Sequence, residues 1–228
     1  MRKSGYVVLD PEGATALCGL PGQGLEPLGR YWADLPPDGY LKDGGRYRRR
    51  RHSCFLVEGD HLVLQPHRAH WQSLDYNALH GGMERWFEPI QPDLLAEPAW
   101  AALLLGLGQA CSAIKGARPW YVEAHQFRID TTDGIGRPTP EGAHRDGVDF
   151  VAVILMGRVG VKGGETRVFE AVGPDGQRFT LTQPGSLMWL DDERVIHEST
   201  PIQPLDEAGH RDTLVLTYRA GGFQGEVR

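Results

Sequence analysis

The stretch AHRDGVDFVAVILM, residues 143–156, decides the fold. Its second part, 148–156, is apolar at nearly every position and rich in valine and isoleucine. That is the pattern of a strand covered on both faces, as inside a sandwich. Its first part, His144-Arg145-Asp146-Gly147, sets a histidine and an aspartate two residues apart at the mouth of that strand. On extended backbone such a pair points to one side, with backbone atoms roughly 6–7 Å apart.

Working outward from this stretch, strand-like segments recur at short, even intervals. WYVEAHQFRID (120–130) precedes it, β-branched and aromatic. TRVFEAVGPDGQRFTLT (166–182) reads as a hairpin about Pro174-Asp175-Gly176. GSLMWL (185–190), RVIHES (194–199) and TLVLTYR (213–219) follow. Many short strands at this spacing predict a jelly-roll or barrel. Upstream the texture differs. GLPGQGLEPLG (19–29) and DLPPDGYLKDGG (34–45) read as irregular connections. Residues 92–115 are rich in alanine and leucine and predict a buried helix, broken near Pro98, with Asp93 as a plausible N-cap. The expected fold is α+β, mainly β. N-terminal helical and irregular support (1–118) packs outside a double-stranded β-helix, or jelly-roll, core (119–220), and 1–228 form one domain.

Composition bounds the function. A chain of 228 residues with 40% apolar and 24% charged residues suits one soluble globular domain. A formal charge of −6 argues against a binder that neutralises nucleic-acid phosphates. The three cysteines, Cys18, Cys54 and Cys111, are far apart and form no CxxC pattern. Neither a disulfide framework nor a zinc ribbon is expected, and a reducing cytoplasm is the default. The short apolar run after Met1-Arg2-Lys3 stops at Asp10-Pro11, so no signal peptide is expected. No apolar stretch is long enough to span a membrane.

An imidazole and a carboxylate placed like His144 and Asp146 can occupy neighbouring positions on one small cation. A second imidazole completes one face of an octahedron and leaves three positions open, as a 2-His-1-carboxylate iron site requires. Alone the pair is weak. Aspartate follows a given histidine at this spacing about one time in twenty by composition, and the chain has nine histidines. The context strengthens it. His197 lies on another short strand, and Arg211-Asp212-Thr213 opens the last one. Arg211 and Thr213 share a face, and a guanidinium beside a hydroxyl suits a distal carboxylate.

The order of HxD, distal His and R-x-T resembles the Fe(II)/2-oxoglutarate dioxygenase superfamily. More narrowly, EGAHRDGVDFVAVILM, GGETRVF, DDERVIHESTPI and HRDTLVLTYR resemble a bacterial family that includes hydroxylases of free L-isoleucine and related amino acids. YLKDGGRYRRRRHSCF (40–55) resembles the N-terminal part of the same family. The resemblance implies His144, Asp146 and His197 as ligands of Fe(II), with Arg211 and Thr213 holding the C5 carboxylate of 2-oxoglutarate. Arg219 shares their face but lies roughly 26 Å further along an extended strand, too far for the same carboxylate. The resemblance also implies consumption of O2, hydroxylation of an aliphatic C–H of a small substrate, most in keeping a free L-amino acid, and release of succinate and CO2. An intact Asp146 favours hydroxylation over halogenation. A homodimer, a common assembly, is compatible with this reading.

Other residues admit a bland and a sharp reading. Gln126 and Arg128 share a parity on the 120–130 strand and could contact the cofactor or a substrate carboxylate; an ordinary polar stripe is the alternative. Trp189 could wall the pocket or fill the core. Asp191-Asp192-Glu193 reads as a polar turn, with Asp192 able to orient a metal ligand. The run at Arg46 and 48–51 reads as a solvated loop or salt bridges rather than a nucleic-acid patch. His67 and His70 read as structural. Two other classes compete with the dioxygenase: a cupin-like metal enzyme without 2-oxoglutarate, for which Arg211 and Thr213 have no use, and a non-catalytic β-sandwich binding module.

Overall fold

The structure is a computed structural model and describes residues 1–77, 79–205 and 207–225. Its centre is a seven-stranded sheet. In spatial order it runs β1 (Tyr6–Leu9), β9 (Leu187–Asp191), β5 (Phe150–Val159), β12 (His210–Ala220), β4 (Trp120–Asp130), β2 (Arg48–Glu58) and β3 (His61–Leu64). All pairings in it are antiparallel. Facing it are a three-stranded sheet, β10 (Val195–Ser199), β7 (Thr166–Glu170) and β8 (Gly176–Phe179), and a pair formed by β11 (Ile202–Pro204) and β6 (Val161–Gly163). This is a mainly β, jelly-roll architecture.

Strand alternation divides the core in two. On β5, Phe150, Ala152 and Ile154 pack beneath the helices, while Val151, Val153 and Leu155 pack between the sheets. Both faces of this strand are buried, which is why its sequence is an unbroken apolar run. The helical layer comprises α1 (Pro11–Cys18), a 3-10 turn (Glu26–Trp32), the short α2 (Pro92–Leu95) and α3 (Pro98–Lys115). α3 buries Trp100, Leu103, Leu104 and Leu107 against the sheet, each fully buried leucine contributing about 2 kcal/mol. Gly106 lies inside this helix despite its poor propensity, because a Cβ there would meet the backbone of Cys18 on α1. Trp32 Nε1 donates to the carbonyls of Phe127 and Thr213 and ties the 3-10 turn to β4 and β12.

Three expectations need correction. The helical support does contain helices, but residues 1–118 also supply β1, β2 and β3 to the main sheet. The division at 118/119 therefore cuts through one hydrogen-bonded layer, with β2 paired to β4 over ten residues. The arginine run is not a loop but opens β2, its alternation burying Arg48 and Arg50; the expected salt bridges are present, from Arg46 to Asp133, Arg48 to Asp38, Arg49 to Asp130 and Arg51 to Glu88. Gln91, not Asp93, occupies the N-cap of α2, and Asp93 lies in its first turn. Among the described residues no helix is long and apolar enough to cross a membrane.

Candidate active site

A cavity of about 120 Å³ opens between the two sheets. His144 and Asp146 reach it from the connection between β4 and β5, not from a strand proper. One bridge holds that connection in place: His144 N–H donates to the His197 carbonyl and His197 N–H to the His144 carbonyl, both at 3.0 Å. The HxD pair is thereby clipped to β10, which carries the third residue. Gly147 turns the chain at φ +77°, and a Cβ there would collide with the Tyr76 ring. Only glycine suits that position.

The three side chains converge without closing. His144 Nε2 lies 3.9 Å from Asp146 Oδ1, and His197 Nε2 lies 3.8 Å from Asp146 Oδ2. Both gaps exceed a hydrogen bond. Donor atoms about 2 Å from a shared cation stand about 3 to 4 Å apart, so the spacing fits a metal ion. His144 Nδ1 donates to the Gly142 carbonyl at 2.9 Å, leaving Nε2 the lone pair toward the gap. Asp192 braces the carboxylate-bearing loop by accepting from the backbone N–H groups of Asp146, Gly147 and Val148 at 3.0, 2.8 and 3.1 Å. Burial and the neighbouring Asp146 carboxylate push Asp192 up to about 7. A cation at the triad would relieve that crowding of negative charge. Burial, then His144, holds His197 well below the ordinary histidine range, so its ring is neutral and able to ligate.

Arg211 and Thr213 line the same cavity from β12. Arg211 is buried, and its Nε and Nη2 have no hydrogen-bond partner among the described residues. Burial, then Arg158, lowers it to about 10, still cationic at neutral pH. A buried guanidinium with free donors is costly unless an anion meets it. The donor set thus fits a metal and, beside it, a carboxylate.

A second group of histidines adjoins the cavity, lined there by His70, Glu123 and His125 with His52 behind them. His52 Nε2 and His70 Nδ1 both contact Glu123 Oε2, at 2.9 and 2.6 Å. His125 stacks on His52, and its Nδ1 lies 2.7 Å from Arg50 Nη2. Arginine is always a donor, so His125 Nδ1 is the acceptor and its Nε2 carries the proton. That ring has no lone pair left for a metal. Burial would raise Glu123, but His70 and the hydrogen bonds from His52 and His70 hold it below the usual carboxylate range. Burial depresses His70 to about 4 and lowers His52. The group is an ionised carboxylate capped by two neutral imidazoles, with His52 Nδ1 left buried and without a partner among the described residues.

The structure puts three expected site residues elsewhere. Gln126 points to the helical layer and donates to the Tyr31 carbonyl at 3.2 Å. Arg128 forms a bidentate pair with Asp212 at 2.8 and 2.7 Å. Trp189 packs with Phe150 in the core beneath the helices. The reason is parity. On β4 the odd positions, Glu123, His125, Phe127 and Ile129, face the cavity, and the even ones face the helices. The same rule brings in Arg48 and Arg50 from β2.

Jelly-roll fold and triad together define a metal-dependent oxygenase site, and comparison with known proteins supplies the family. A family model described as 2OG-Fe dioxygenase matches residues 29–217. The chain belongs to that family and is an Fe(II)- and 2-oxoglutarate-dependent dioxygenase that uses O2. A crystal structure of a bsmA homolog from Methylobium petroleophilum PM1 is 56% identical, with a TM-score of 0.93, over 99% of this chain and 92% of that one. IDO from Bacillus thuringiensis shares the fold at 18% identity and TM-score 0.77, over 97% and 96% of the two chains. The Fe(II)/(alpha)ketoglutarate-dependent dioxygenase TqaL does so at 19% and 0.73, over 98% and 85%. No curated protein matches the chain.

Proposed function

We propose that the chain hydroxylates an aliphatic C–H of a small substrate, most in keeping a free L-amino acid, with succinate and CO2 as co-products. His144, Asp146 and His197 hold the iron, and Arg211 with Thr213 holds the distal carboxylate of 2-oxoglutarate. The observation that carries this reading is Arg211: a buried guanidinium with free donors in the same cavity as an open His–Asp–His triad. A metal enzyme without 2-oxoglutarate has no use for it.

When bound, the iron and 2-oxoglutarate supply the oxidising chemistry from O2. The chain's own residues do the rest. Gly142 fixes the His144 tautomer, Asp192 holds the Asp146 loop, and Arg211 sets the orientation of the co-substrate. The apolar lining from Val153, Met188 and Val215 excludes water beside the reacting centre. A cavity of this size between packed sheets suits a small molecule rather than a polymer.

The test has two parts. Fe(II) and 2-oxoglutarate added without oxygen should give a weak visible charge-transfer band. Under air, a screen of free amino acids should then reveal substrate-dependent succinate. Iron binding with neither band nor succinate would defeat the reading.

A further inference from the structure

Three groups hold Asp146 in place, and they do not act on the same atoms. Asp192 accepts from the backbone N–H of Asp146 and of the two residues after it, and Gln224 Nε2 donates to the Asp146 carbonyl at 2.7 Å. Both fix backbone. The carboxylate itself receives one hydrogen bond among the described residues, from Gln72 Nε2 to Oδ1 at 3.2 Å. Its other oxygen, Oδ2, receives none among them and lies 3.8 Å from His197 Nε2.

The Gln72 amide cannot turn over. Its oxygen and nitrogen are alike in shape, so their partners decide which is which. Oε1 accepts from Arg85 Nη2 at 3.0 Å and from Asn77 Nδ2 at 3.1 Å. A guanidinium only donates, so the Gln72 atom beside it is the oxygen. Asn77 is oriented in the same way, because its Oδ1 accepts from the backbone N–H of His80 at 2.7 Å. The backbone is also tied. His70 and Arg85 exchange two backbone hydrogen bonds, at 2.9 and 3.0 Å, and Gly82 N–H donates to the Gln72 carbonyl at 2.8 Å. Gln72, Asn77 and Arg85 are all buried. The NH2 group is therefore the end of the side chain presented to Asp146, with both lone pairs of Oε1 used behind it.

We propose that Gln72 is a positioning residue that ties up Oδ1 and leaves Oδ2 as the one oxygen of Asp146 available to the iron. The inference rests on the reading that His144, Asp146 and His197 hold Fe(II), and it adds how the site keeps its open positions. Two imidazoles and a carboxylate bound through one oxygen leave three of six positions open; a carboxylate that chelates through both leaves two. 2-Oxoglutarate and O2 together need three. Gln72 thus acts on the rotation of the carboxylate, while Asp192 and Gln224 act on the loop that carries it.

The experiment uses the full chain with Fe(II) and no oxygen, its aspartate carboxyls labelled with carbon-13. The infrared difference between iron-loaded and metal-free protein reads the separation of the two carboxylate stretches, wide when one oxygen binds and narrow when both do. Wild type should give the wide separation. Gln72→Met keeps the length of the side chain and loses the donor. It should narrow the separation and keep one iron per chain. It should also weaken 2-oxoglutarate in the titrated charge-transfer band on the order of tenfold, the lower end of what removing a group that orients a metal ligand costs. Asn77→Ala removes one partner of Gln72, yet Arg85 still turns the NH2 to Asp146. It should lower stability to urea as Gln72→Met does, and keep the wide separation and the wild-type 2-oxoglutarate affinity. A narrow separation in the wild type would overturn the inference, and that test stands even where Gln72→Met does not fold. A wide separation and unchanged 2-oxoglutarate affinity in Gln72→Met would overturn it too. So would the same losses in Asn77→Ala, since Gln72 would then act only by holding its own segment. Each of these results has iron bound and leaves the dioxygenase reading standing. A wild type that binds no Fe(II) would overturn that reading, and the role of Gln72 with it.

Discussion

His144, Asp146 and His197 hold their donor atoms 3.8 to 3.9 Å apart, whereas His52 and His70 close to 2.9 and 2.6 Å on Glu123. Both groups are histidine plus carboxylate, both face one cavity, and both gather donor atoms within 4.8 Å. The difference lies in what surrounds them. In the triad, His144 Nδ1 is held by the Gly142 carbonyl, and the loop that bears Asp146 is held by Asp192. In the second group Arg50 fixes the His125 tautomer, and Glu123 takes N–H donors from two imidazoles at once. Residue type alone does not make a metal site. The carboxylate and the ring nitrogens that face it must also be held apart rather than closed onto each other.

The comparison breaks first on metal stoichiometry, the largest effect. Anaerobic Fe(II) titration should give one equivalent per chain. His144→Ala should bind none, and His70→Ala should still bind one. Two equivalents in the wild type would mean that the second group opens, and the contrast drawn from the distances would fail.

Acid stability should sharpen it. His70 is ordinarily near 6.5 and sits at about 4 in the fold, because burial disfavours its charge. As pH falls, the unfolded chain takes up this proton before the folded one does. Stability is therefore full above about pH 6.5 and is lost as pH falls through about 4, by about 3 kcal/mol from this ring. Urea unfolding at pH 7.5 and 5 should show the loss, and His70→Gln should flatten it. An equal slope in both proteins would show that His70 is not held neutral.

Arg211→Ala tests the open half of the cavity. Loss of a charged hydrogen-bonding group should weaken 2-oxoglutarate about tenfold to hundredfold in the titrated band, while iron stoichiometry stays at one. Were iron lost too, in a protein still folded, the division of roles between Arg211 and the triad would be wrong.

The two regions were not equally legible in the sequence. The triad, Arg211 and Thr213 were legible because short-range spacing and strand order carry them: an i, i+2 pair before an apolar strand, a histidine on a later strand, an arginine opening the last. Jelly-roll architecture followed from the same strands. The other wall of the cavity was hidden for two reasons. Arg48 and Arg50 sat inside a run of arginines that reads as solvated surface, because nothing in the sequence reveals that residues 48–58 pair with β4. Gln126 and Arg128 share one face of their strand, but alternation gives two faces without saying which is inward. Inward is set by the helices, which cover the even face of β4 and leave the odd face to the cavity. That choice is tertiary, and no local pattern encodes it.

Asp192 carries the smallest effect and the most specific one. Its carboxylate takes three backbone N–H groups from the loop that bears Asp146. An asparagine keeps one acceptor oxygen but turns an NH2 toward donors it cannot satisfy. The loop should relax, and Asp146 should lose its aim at the metal. Groups that orient metal ligands typically contribute at least tenfold to affinity, so Asp192→Asn should weaken Fe(II) about tenfold. 2-Oxoglutarate affinity of the iron-loaded protein should not change, since Arg211 lies on another strand. If the variant bound iron as tightly as wild type, the open spacing of the triad would not depend on this brace. It would then be set by the His144–His197 backbone bridge alone.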